Sequence, residues 1–428
     1  MEFQNVKGTR DFYPQDMRKL NWIIDAWRRV SLRNGFEEYE SPIFEYLDLF
    51  TAKSGQEIVE QLFSLTDRGG RQLAIRPEMT PSLARMVNAR INSLPRPIKW
   101  FSISRVCRAE NPQKGRLREF FQWNIDIVGE DSELADAECI FAAVDAMREL
   151  GLAKDDVSVR VGSRPLVVAR LKAMGVGEAA IPQALAVIDK RPKVEDEEFE
   201  VLATKAGLTA EQIAQINAFE RVPGQEAMQY LAAQAGGGAD VEAGIAQVGR
   251  LWEQLRAMGI VDYCEFDQRI VRGLAYYTGV VYEIFDRSLS LRALAGGGRY
   301  DNLLNALGGP HVGATGFGMG DVVLGILLEN KGKVPANLKG GRIEFFVVPG
   351  EDSAAGRVLE VVAALRTAGR SADFSYRSQG VGKLLKEANR RGAAKAVIVR
   401  KDGLEVKDLA TGAQSPAGLA DLAGGGAR

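Results

Sequence analysis

Residues 106–129 constrain the fold more than any other stretch of the sequence. They read VCRAENPQKGRLREFFQWNIDIVG, with apolar and charged residues alternating on either side of a break at 111–115. Alternation interrupted by proline and glycine predicts two strands joined by a turn. Lys114, Arg116 and Arg118 make the turn cationic, and a guanidinium presents a planar fork that matches phosphate oxygens. The hairpin is therefore either a polyphosphate-binding element or an ordinary charged hairpin facing solvent.

The overall charge balance excludes a general attraction to nucleic acid. The 428 residues include 55 Lys and Arg against 56 Asp and Glu, a formal net charge of −1. Any binding of RNA must then come from local basic patches and from shape. A chain of this length predicts roughly two to four domains.

Cysteine usage and hydropathy predict a cytoplasmic protein. Cys107, Cys139 and Cys264 are far apart and odd in number, so neither a disulfide framework nor a zinc-type spacing is expected. No apolar run is long enough to span a bilayer, and the opening MEFQNVKGTRDF lacks the apolar region of a secretion signal.

Histidine usage limits the chemistry. The sequence has one histidine, His311, in a glycine-rich loop. That excludes metal sites built from several histidines. It also argues against a Ser-His or Cys-His mechanism, because a lone loop histidine lacks an orienting partner. Catalysis must then depend on Arg, Glu, Gln, Tyr and backbone amides, with Mg²⁺ where phosphates require it.

Composition shifts divide the chain into four parts. Residues 1–154 and 261–330 mix strands and helices, whereas 155–260 is alanine-rich and predominantly helical. Residues 331–428 open with a linker rich in glycine and lysine, and then alternate strand and helix. That alternation is typical of a small α/β domain.

Five segments rich in glycine, arginine or tyrosine lie far apart in the sequence. Closely spaced glycines let the backbone approach a ligand or another strand. Each segment alone is a weak signal, since GGGRYD also fits a tight turn and GFGMG a closely packed strand. A dinucleotide-binding fingerprint does not fit, because the required strand, glycine loop, helix and downstream acid do not occur together. The segments are 76–80, the hairpin, 271–279, 295–301 and 313–320.

Taken together, these segments resemble the histidyl-tRNA synthetases, which are class II aminoacyl-tRNA synthetases. The matching stretches are KGTRDFYP, RPEMTPS, CRAENPQKGRLREFFQW, RGLAYYTGVVYE, GGGRYDNLL and GFGMG, in the family's order across nearly the whole chain. The resemblance implies an α+β catalytic domain with an antiparallel six-stranded sheet and helices, a helical insertion, and a C-terminal α/β anticodon-binding domain. It also implies a homodimer, whose interface would include a predicted strand at 36–44 that holds Pro42.

The family's reaction, as the resemblance implies it, has two steps. The carboxylate of histidine attacks the α-phosphate of ATP, bound with Mg²⁺, and histidyl-adenylate and pyrophosphate form. The histidyl group then passes to the 3′ end of tRNA(His). Because the carboxylate is already ionised, activation needs no general base, and catalysis consists of positioning and of neutralising phosphate charge.

The resemblance assigns four residues to ATP. Arg108 would bind the α-phosphate and the attacking carboxylate, and Arg272 would reach the same phosphate from the other side, in place of a metal ion. Glu110 would lie near ATP and Mg²⁺, and Arg116 near the outer phosphates. Arg108 and Arg272 are thus the expected catalytic residues, and no protein-bound metal is expected.

Seven residues, with Arg272, would form the histidine pocket by the same resemblance. An acid and a hydroxyl suit the two ring nitrogens of imidazole. The residues expected at the α-amino group are Glu78, Thr80 and Gln122. Those expected at the imidazole are Asp126 and Tyr277, with Tyr276 and Tyr300 lining the pocket.

Four positions depart from the family's pattern. Where the third class II motif usually ends in Gly-Leu-Glu-Arg, this chain has Val323 in place of the arginine that clamps ATP. An apolar side chain cannot bind phosphate, so another arginine would have to compensate. The other departures are Ala275 for an aspartate, Asp126 for a glutamate and Asn111 for an arginine. The candidate compensating residues are Arg269, Arg292 and Arg299.

The departures leave more than one function open. One is a divergent but active synthetase, and another is an inactive relative that binds histidine as the regulatory subunit of ATP phosphoribosyltransferase. A third is a histidine-sensing domain that binds uncharged tRNA. The regulator lacks an anticodon-binding domain, whereas residues 345–409 resemble one. Because Arg108 and Arg272 are also retained, the active synthetase is favoured.

A basic stripe in the C-terminal part is the expected contact with tRNA. It comprises Arg377, Lys383, Lys386 and Arg390, with Arg391 beside them. Spacings of three and four place several of these residues on one helix face, which suits contacts to phosphates. An ordinary solvated helix has the same pattern.

Overall fold

The computed structural model describes residues 3–51, 61–191, 194–220, 238–272, 276–339, 343–350 and 355–424. The chain divides into two compact units, residues 1–333 and 334–428. No helix among the described residues combines the length and apolarity needed to cross a membrane.

The first unit contains a large and a small sheet. In the large sheet the strand order is β1-β5-β6-β11-β10-β9-β7-β8, and in the small sheet it is β2-β4-β3. The six inner strands of the large sheet pair antiparallel, and the short edge strands β1 and β8 pair parallel. The antiparallel six-stranded sheet expected from the sequence is thus confirmed. The strands are β1 (Glu37–Glu38), β2 (Phe44–Tyr46), β3 (Phe63–Thr66), β4 (Gln72–Ile75), β5 (Ile98–Cys107), β6 (Glu119–Val128), β7 (Val157–Ser163), β8 (Cys264–Phe266), β9 (Val280–Asp286), β10 (Ala295–Arg299) and β11 (Ala314–Gly320).

The predicted hairpin lies inside the large sheet. β5 and β6 pair along all ten residues of each strand. The chain reverses in the connection at 108–118, where Gln113 and Arg116 exchange two backbone hydrogen bonds of 2.9 Å. Gly115 between them has a φ of +78°, a left-handed conformation that glycine adopts without strain.

Residues 36–44 do not form the single strand that the sequence predicts. Two of them form β1 in the large sheet, and β2 begins at Phe44 in the small sheet. Ser41 and Pro42 lie between these strands and belong to neither. The interruption has a direct cause, because proline has no N–H to donate to a strand ladder.

Helix α1 covers one face of the large sheet. It begins at Pro14 and ends before Gly35, whose φ is +76°. Its Trp27 stacks on Trp123 of β6 with ring centroids 5.9 Å apart. Because side chains alternate along a strand, the residues on either side of Trp123 face away from α1. The helices of the unit are α1 (Pro14–Arg33), α2 (Leu47–Thr51), α3 (Thr80–Arg90), α4 (Glu133–Glu149), α5 (Arg164–Ala173), α6 (Ile181–Lys190), α7 (Asp196–Lys205), α8 (Ala210–Glu220), α9 (Gly238–Ala257), α10 (Leu303–Ala306) and α11 (Asp321–Asn330).

A run of helices, α5 to α9, separates β7 from β8 in the sequence. Several of them share a core that includes Leu171, Leu185, Phe199 and Ile213. β7 lies at the start of the stretch 155–260, where the sequence predicts a short strand at 157–161 before the helices, and it pairs with β9 in the large sheet. The chain therefore leaves the sheet after β7 and returns to it with β8.

The second unit is a five-stranded sheet with helices on both faces. The order is β13-β12-β14-β15-β16, in which β13, β12 and β14 are parallel and the last two strands antiparallel. Phe345 and Val347 pack in one core with residues of α12, and Phe346 and Val348 pack in another with residues of α13. The small α/β domain expected from the sequence is confirmed. Its elements are β12 (Phe345–Pro349), α12 (Ala355–Thr367), β13 (Ala372–Phe374), α13 (Val381–Arg390), β14 (Lys395–Val399), β15 (Leu404–Asp408), β16 (Gln414–Ala417) and α14 (Leu419–Gly424).

Candidate active site

A cavity of about 930 Å³ opens on the face of the large sheet opposite α1. Ten of the eleven residues predicted for ATP and histidine line it, although the outermost two, Glu78 and Tyr300, are 222 positions apart in the sequence. The eleventh, Asp126, lies under the wall, where the hydroxyl of the lining residue Tyr300 donates to it. The ten are Glu78, Thr80, Arg108, Glu110, Arg116, Gln122, Arg272, Tyr276, Tyr277 and Tyr300.

Glycines on β11 make room for polar side chains on β6. Gly316 is paired with Asp126, and Gly318 with Asn124. A Cβ atom on Gly316 would lie 2.2 Å from Oδ1 of Asp126, and one on Gly318 would lie 1.8 Å from Nε2 of Gln122. Such distances are far inside van der Waals contact, so any larger residue would displace these side chains. The GFGMG motif therefore provides space for the polar side chains of the neighbouring strand.

Three alternate residues of β6 present acceptor atoms on the cavity side. They are Gln122, Asn124 and Asp126, between which Trp123 and Ile125 enter the opposite core. Among the described residues, Oε1 of Gln122, Oδ1 of Asn124 and Oδ2 of Asp126 have no hydrogen-bond partner although they are buried. Buried acceptors without partners are costly, so a ligand with donors would satisfy them. The sequence prediction missed Asn124, which a strict period of two along β6 could have identified.

Asp126 is the acid among these three residues, and it is deeply buried. It is 2% exposed, and the Tyr300 hydroxyl donates to its Oδ1 at 2.5 Å. Burial raises the pKa of Asp126 to about 7; the hydrogen bond from Tyr300 opposes the rise, and the nearby charge of Glu78 adds to it. The carboxyl group is therefore poised to gain or lose a proton near neutral pH, according to what binds beside it.

Glu78 forms a second acidic point of the cavity, just before helix α3. Its Oε2 accepts a hydrogen bond of 2.9 Å from the Tyr276 hydroxyl, and its buried Oε1 has no partner among the described residues. Burial raises the pKa of Glu78, while the guanidinium groups of Arg108 and Arg272 and the Tyr276 hydroxyl oppose the rise. One carboxylate oxygen is thus fixed, and the described residues leave the other free to accept from a ligand.

Arg272 lies on the opposite wall in a constrained position. Its backbone has a φ of +51°, which is uncommon for a residue other than glycine. Its guanidinium is 3.4 Å from Oε1 of Glu283 and lies 5.6 Å from the ring centre of Tyr277. A Cβ atom on Gly296 would lie 1.2 Å from its Nη1, so the GGGRYD motif leaves space for this side chain. Glu283, which positions Arg272, was not predicted; it ends the matching stretch RGLAYYTGVVYE.

Arg108 and the hairpin turn close another side of the cavity. Nε of Arg108 donates to the carbonyl of Pro77 at 3.0 Å, and its guanidinium lies 5.3 Å from the ring centre of Phe120. Glu110 and Arg116 form an ion pair across the turn. The hairpin therefore brings two guanidinium groups and one carboxylate to the cavity.

The departures from the family pattern have different structural contexts. Val323 lines the cavity, and its Cγ2 would lie 3.3 Å from a Cβ atom placed on Gly115, so its side chain lies beside the hairpin turn. Asn111 is exposed on the hairpin and is absent from the cavity lining. Ala275 lies outside the described residues. Two positions before Val323, the carboxylate of Asp321 accepts from Arg10 at 2.8 Å, which ties the KGTRDF segment to α11.

The second unit has a separate basic concavity of about 630 Å³. It is lined by the predicted residues Arg377, Lys383, Lys386 and Arg390, referred to below as the basic cluster. Arg391 lies beside them but is paired with Asp373 at 2.7 Å and with Glu387 at 2.8 Å. Tyr376, which the sequence analysis missed, also lines the concavity and is 85% exposed. An exposed aromatic ring among cations is typical of sites on which nucleic-acid bases stack.

Comparison with known proteins identifies the family. Residues 8–320 match the family model described as histidyl-tRNA synthetase. The chain belongs to this family. A histidine–tRNA ligase of Opitutus terrae is 40% identical over 96% of this chain and 94% of its own length. A chloroplastic/mitochondrial histidine–tRNA ligase of Arabidopsis thaliana is 38% identical over 97% of this chain and 85% of its own length.

The fold agrees with that of solved members of the family. The crystal structure of histidyl-tRNA synthetase from Nostoc sp. PCC 7120 superposes with a TM-score of 0.82 at 24% identity, covering 99% of this chain and 98% of that one. The class II synthetase architecture expected from the sequence is therefore confirmed.

Proposed function

We propose that this protein is a histidine–tRNA ligase that activates histidine with ATP and transfers it to tRNA(His). One observation carries the proposal: a cavity lined by Glu78, Arg108 and Arg272 has a second buried carboxyl group, Asp126, beneath its wall, and each carboxyl group has an oxygen without a partner among the described residues. The acids suit the ammonium and imidazole donors of histidine, and the arginines suit its carboxylate and a phosphate. Attachment of radiolabelled histidine to tRNA(His) tests it, and attachment of another amino acid instead would refute it.

Histidine is recognised at both of its ends. The open Oε1 of Glu78 accepts from the α-ammonium group, with Thr80 and Gln122 nearby. The imidazole reaches toward Asp126, whose Oδ2 has no partner among the described residues, and the Tyr277 hydroxyl serves the other ring nitrogen. Tyr276 and Tyr300 hold the two carboxyl groups in place through hydrogen bonds of 2.9 and 2.5 Å. A site built this way rejects apolar isosteres strongly, because they would leave its buried acceptors unpaired.

Activation requires positioning rather than proton transfer. The carboxylate of histidine is ionised at neutral pH, so it attacks the α-phosphorus of ATP directly and pyrophosphate leaves. Arg108 and Arg272 bind the charge that develops on the α-phosphate, from the hairpin side and from the β10 side. Because Pro77 and Glu283 fix these arginines before the substrates bind, little reorganisation is needed in the transition state.

Mg²⁺ enters this site with the phosphates of ATP. Among the described residues, no group of three or more His, Cys, Asp or Glu side chains could hold a metal ion. Glu110 offers a carboxylate at the cavity, paired with Arg116. This arrangement fits Mg²⁺, which typically keeps several waters and takes one or two carboxylates besides substrate phosphates. When bound with ATP, the ion would supply neutralisation of phosphate charge, and Glu110 is the cavity residue that would hold it.

The regulatory-subunit alternative has less support. The relatives of 40% and 38% identity both carry the name histidine–tRNA ligase, and the alignments extend over at least 96% of this chain. They therefore include nearly all of the second unit, in which the basic cluster lies. A regulator that only senses histidine has no evident use for such a cluster.

The parts of the chain have different tasks in this proposal. Residues 1–154 and 261–330 form the catalytic domain, 155–260 the helical insertion, and 331–428 the anticodon-binding domain. The enzyme acts in the cytoplasm as a homodimer. In support of a dimer, Ile43, Phe44 and Tyr46 are 40%, 49% and 57% exposed, which is unusual for adjacent large apolar side chains. Sedimentation equilibrium tests this point, and a monomer at micromolar concentration would refute it.

The basic cluster is expected to matter for tRNA and not for activation. Changing Lys383, Lys386 and Arg390 together to alanine should raise KM for tRNA(His) about tenfold or more, since each lost phosphate contact weakens binding. Histidine-dependent pyrophosphate exchange should stay within about twofold of wild type, because it needs no tRNA. A Lys395→Ala, Lys407→Ala double variant removes cations of the same unit outside the concavity and serves as the control. A triple variant with unchanged KM for tRNA would contradict the assignment.

A further inference from the structure

The net positive charge of the cavity is smaller than its number of arginines indicates, because two of the arginines are paired with carboxylates. Arg116 is paired with Glu110, and Arg272 with Glu283. Where the family pattern places another arginine, Val323 offers only methyl groups. ATP carries several negative charges on its outer phosphates, and a buried phosphate without a cationic donor is strongly disfavoured. A further guanidinium near these phosphates would make up for the missing arginine.

Three arginines could take the place of the missing one, and the guanidinium groups of two of them already bind aspartates. Arg299 is 3% exposed, and its guanidinium donates to the buried Asp136 at 2.8 and 2.9 Å. It does not line the cavity. Arg269 does line the cavity, but Nε and Nη2 donate to Asp267 at 2.9 and 2.8 Å, which occupies the fork that a phosphate would need.

Arg292 differs from both. It lines the cavity and is exposed, and no hydrogen bond or ion pair of its guanidinium occurs within the described parts of the chain. Its segment is joined to the start of α11, because the N–H of Gly320 donates to the carbonyl of Leu294 at 3.3 Å. Arg292 is two residues before this bond, and Val323 is three residues after it. The unpaired guanidinium and the apolar substitution thus lie on adjoining segments of one wall.

We infer that Arg292 binds the terminal phosphates of ATP and takes the place of the arginine that Val323 has replaced. This inference rests on the proposed function and adds a residue to its ATP site. The guanidinium can bind two phosphate oxygens at once, and the long side chain can fold over ATP after the nucleotide has entered. Its role is in binding the nucleotide, so histidine recognition does not depend on it.

The first test is kinetic. In histidine-dependent pyrophosphate exchange, Arg292→Ala is expected to raise KM for ATP about 10- to 100-fold, the effect of losing charge-assisted hydrogen bonds, while KM for histidine changes less than about twofold. Arg292→Lys should have a KM for ATP between those of wild type and Arg292→Ala, because lysine keeps the charge but loses the planar pair of N–H donors. Arg256→Ala, which removes an exposed arginine of α9 outside the cavity, should match wild type. An unchanged KM for ATP in Arg292→Ala, or an equal rise in KM for histidine, would overturn the inference.

A binding measurement separates this inference from the proposed function. If wild-type protein gave no exchange, the ligase function would fail, and calorimetric titration with Mg-ATP and with AMP would still test Arg292. The inference requires that Arg292→Ala weaken ATP binding about tenfold or more and leave AMP binding unchanged, because AMP lacks the terminal phosphates. Equal ATP affinity in wild type and variant, or no ATP binding by wild type, would refute it.

Discussion

Replacing Arg272 with alanine is expected to reduce histidine-dependent pyrophosphate exchange by about 1,000-fold while the fold survives. Its guanidinium is fixed by Glu283 and lies beside Tyr277, above the space that Gly296 leaves open. Loss of one preorganised donor to a developing anion typically costs a factor of about 100 to 1,000. Here the donor also orients the attacking carboxylate, so the upper end of that range is expected.

Two further variants make this prediction specific. Gly296→Ala keeps the arginine but places a Cβ atom 1.2 Å from the present position of Nη1. It should impair exchange strongly although no charge is lost. Arg85→Ala removes an arginine that pairs with Glu45 outside the cavity, and it should exchange at the wild-type rate. If Arg272→Ala were folded by circular dichroism and exchanged as fast as wild type, the assigned mechanism would be wrong.

Replacing Asp126 with asparagine should raise stability at about pH 8 and abolish efficient use of histidine. Burial raises the pKa of Asp126 to about 7, above the value of about 3.9 in an unfolded chain. The folded state therefore holds an extra proton between about pH 4 and 7, and stability falls as the pH rises through that window. Asparagine removes this cost, which corresponds to about 1 to 3 kcal/mol above neutral pH after allowance for local relaxation.

The expected gain in stability is accompanied by a loss of function. KM for histidine should rise about 100-fold, because an amide cannot compensate a cationic or strongly donating imidazole as a carboxylate does. Urea unfolding at about pH 8 and pH 5 measures the first effect, and the difference between variant and wild type should shrink at the lower pH. A variant that is stabilised equally at both values, or that keeps its KM for histidine, would contradict the role given to Asp126.

Asp136 provides a matched comparison on the other side of the sheet. It is also fully buried, and burial raises its pKa to about 6, but it accepts hydrogen bonds from the buried guanidinium of Arg299. Asp136→Asn changes an acid whose partner is the protein's own guanidinium, and it should leave substrate binding intact. KM for histidine should not change. A rise in KM for histidine that occurs in Asp126→Asn and not in Asp136→Asn would separate a ligand-binding acid from a structural one.

The sequence predicted those features that depend on local patterns. The alternation around Trp123 predicted the hairpin, and the glycine-rich segments were expected to bring the backbone close to other groups, as they do at Gly316 and Gly318. The resemblance named eleven residues, of which ten line one cavity and Asp126 lies under its wall, and β6, β9, β10 and β11 bring their segments together. The interruption at Pro42 was not predicted, since residues 36–44 were expected to form a single strand rather than parts of two sheets.

What the sequence could not predict depends on contacts between distant segments. The sequence alone does not distinguish Arg299, Arg269 and Arg292 as candidates for binding phosphate. Only the structure shows that Arg299 is paired with Asp136 and Arg269 with Asp267. Glu283 was not predicted either, because its role depends on an ion pair with Arg272, which lies outside its strand. Tyr376 was missed because an exposed aromatic is recognised from the fold, not from its neighbours in the sequence.

The most direct test of the central claim is histidine-dependent exchange of radiolabelled pyrophosphate into ATP by the wild-type protein, with the other amino acids as controls. The proposed function predicts exchange with histidine and none above background with the others, even though Val323 stands where the family has an arginine. Absence of exchange, in a preparation that binds histidine by calorimetry, would contradict it. The cavity would then serve to sense histidine rather than to activate it.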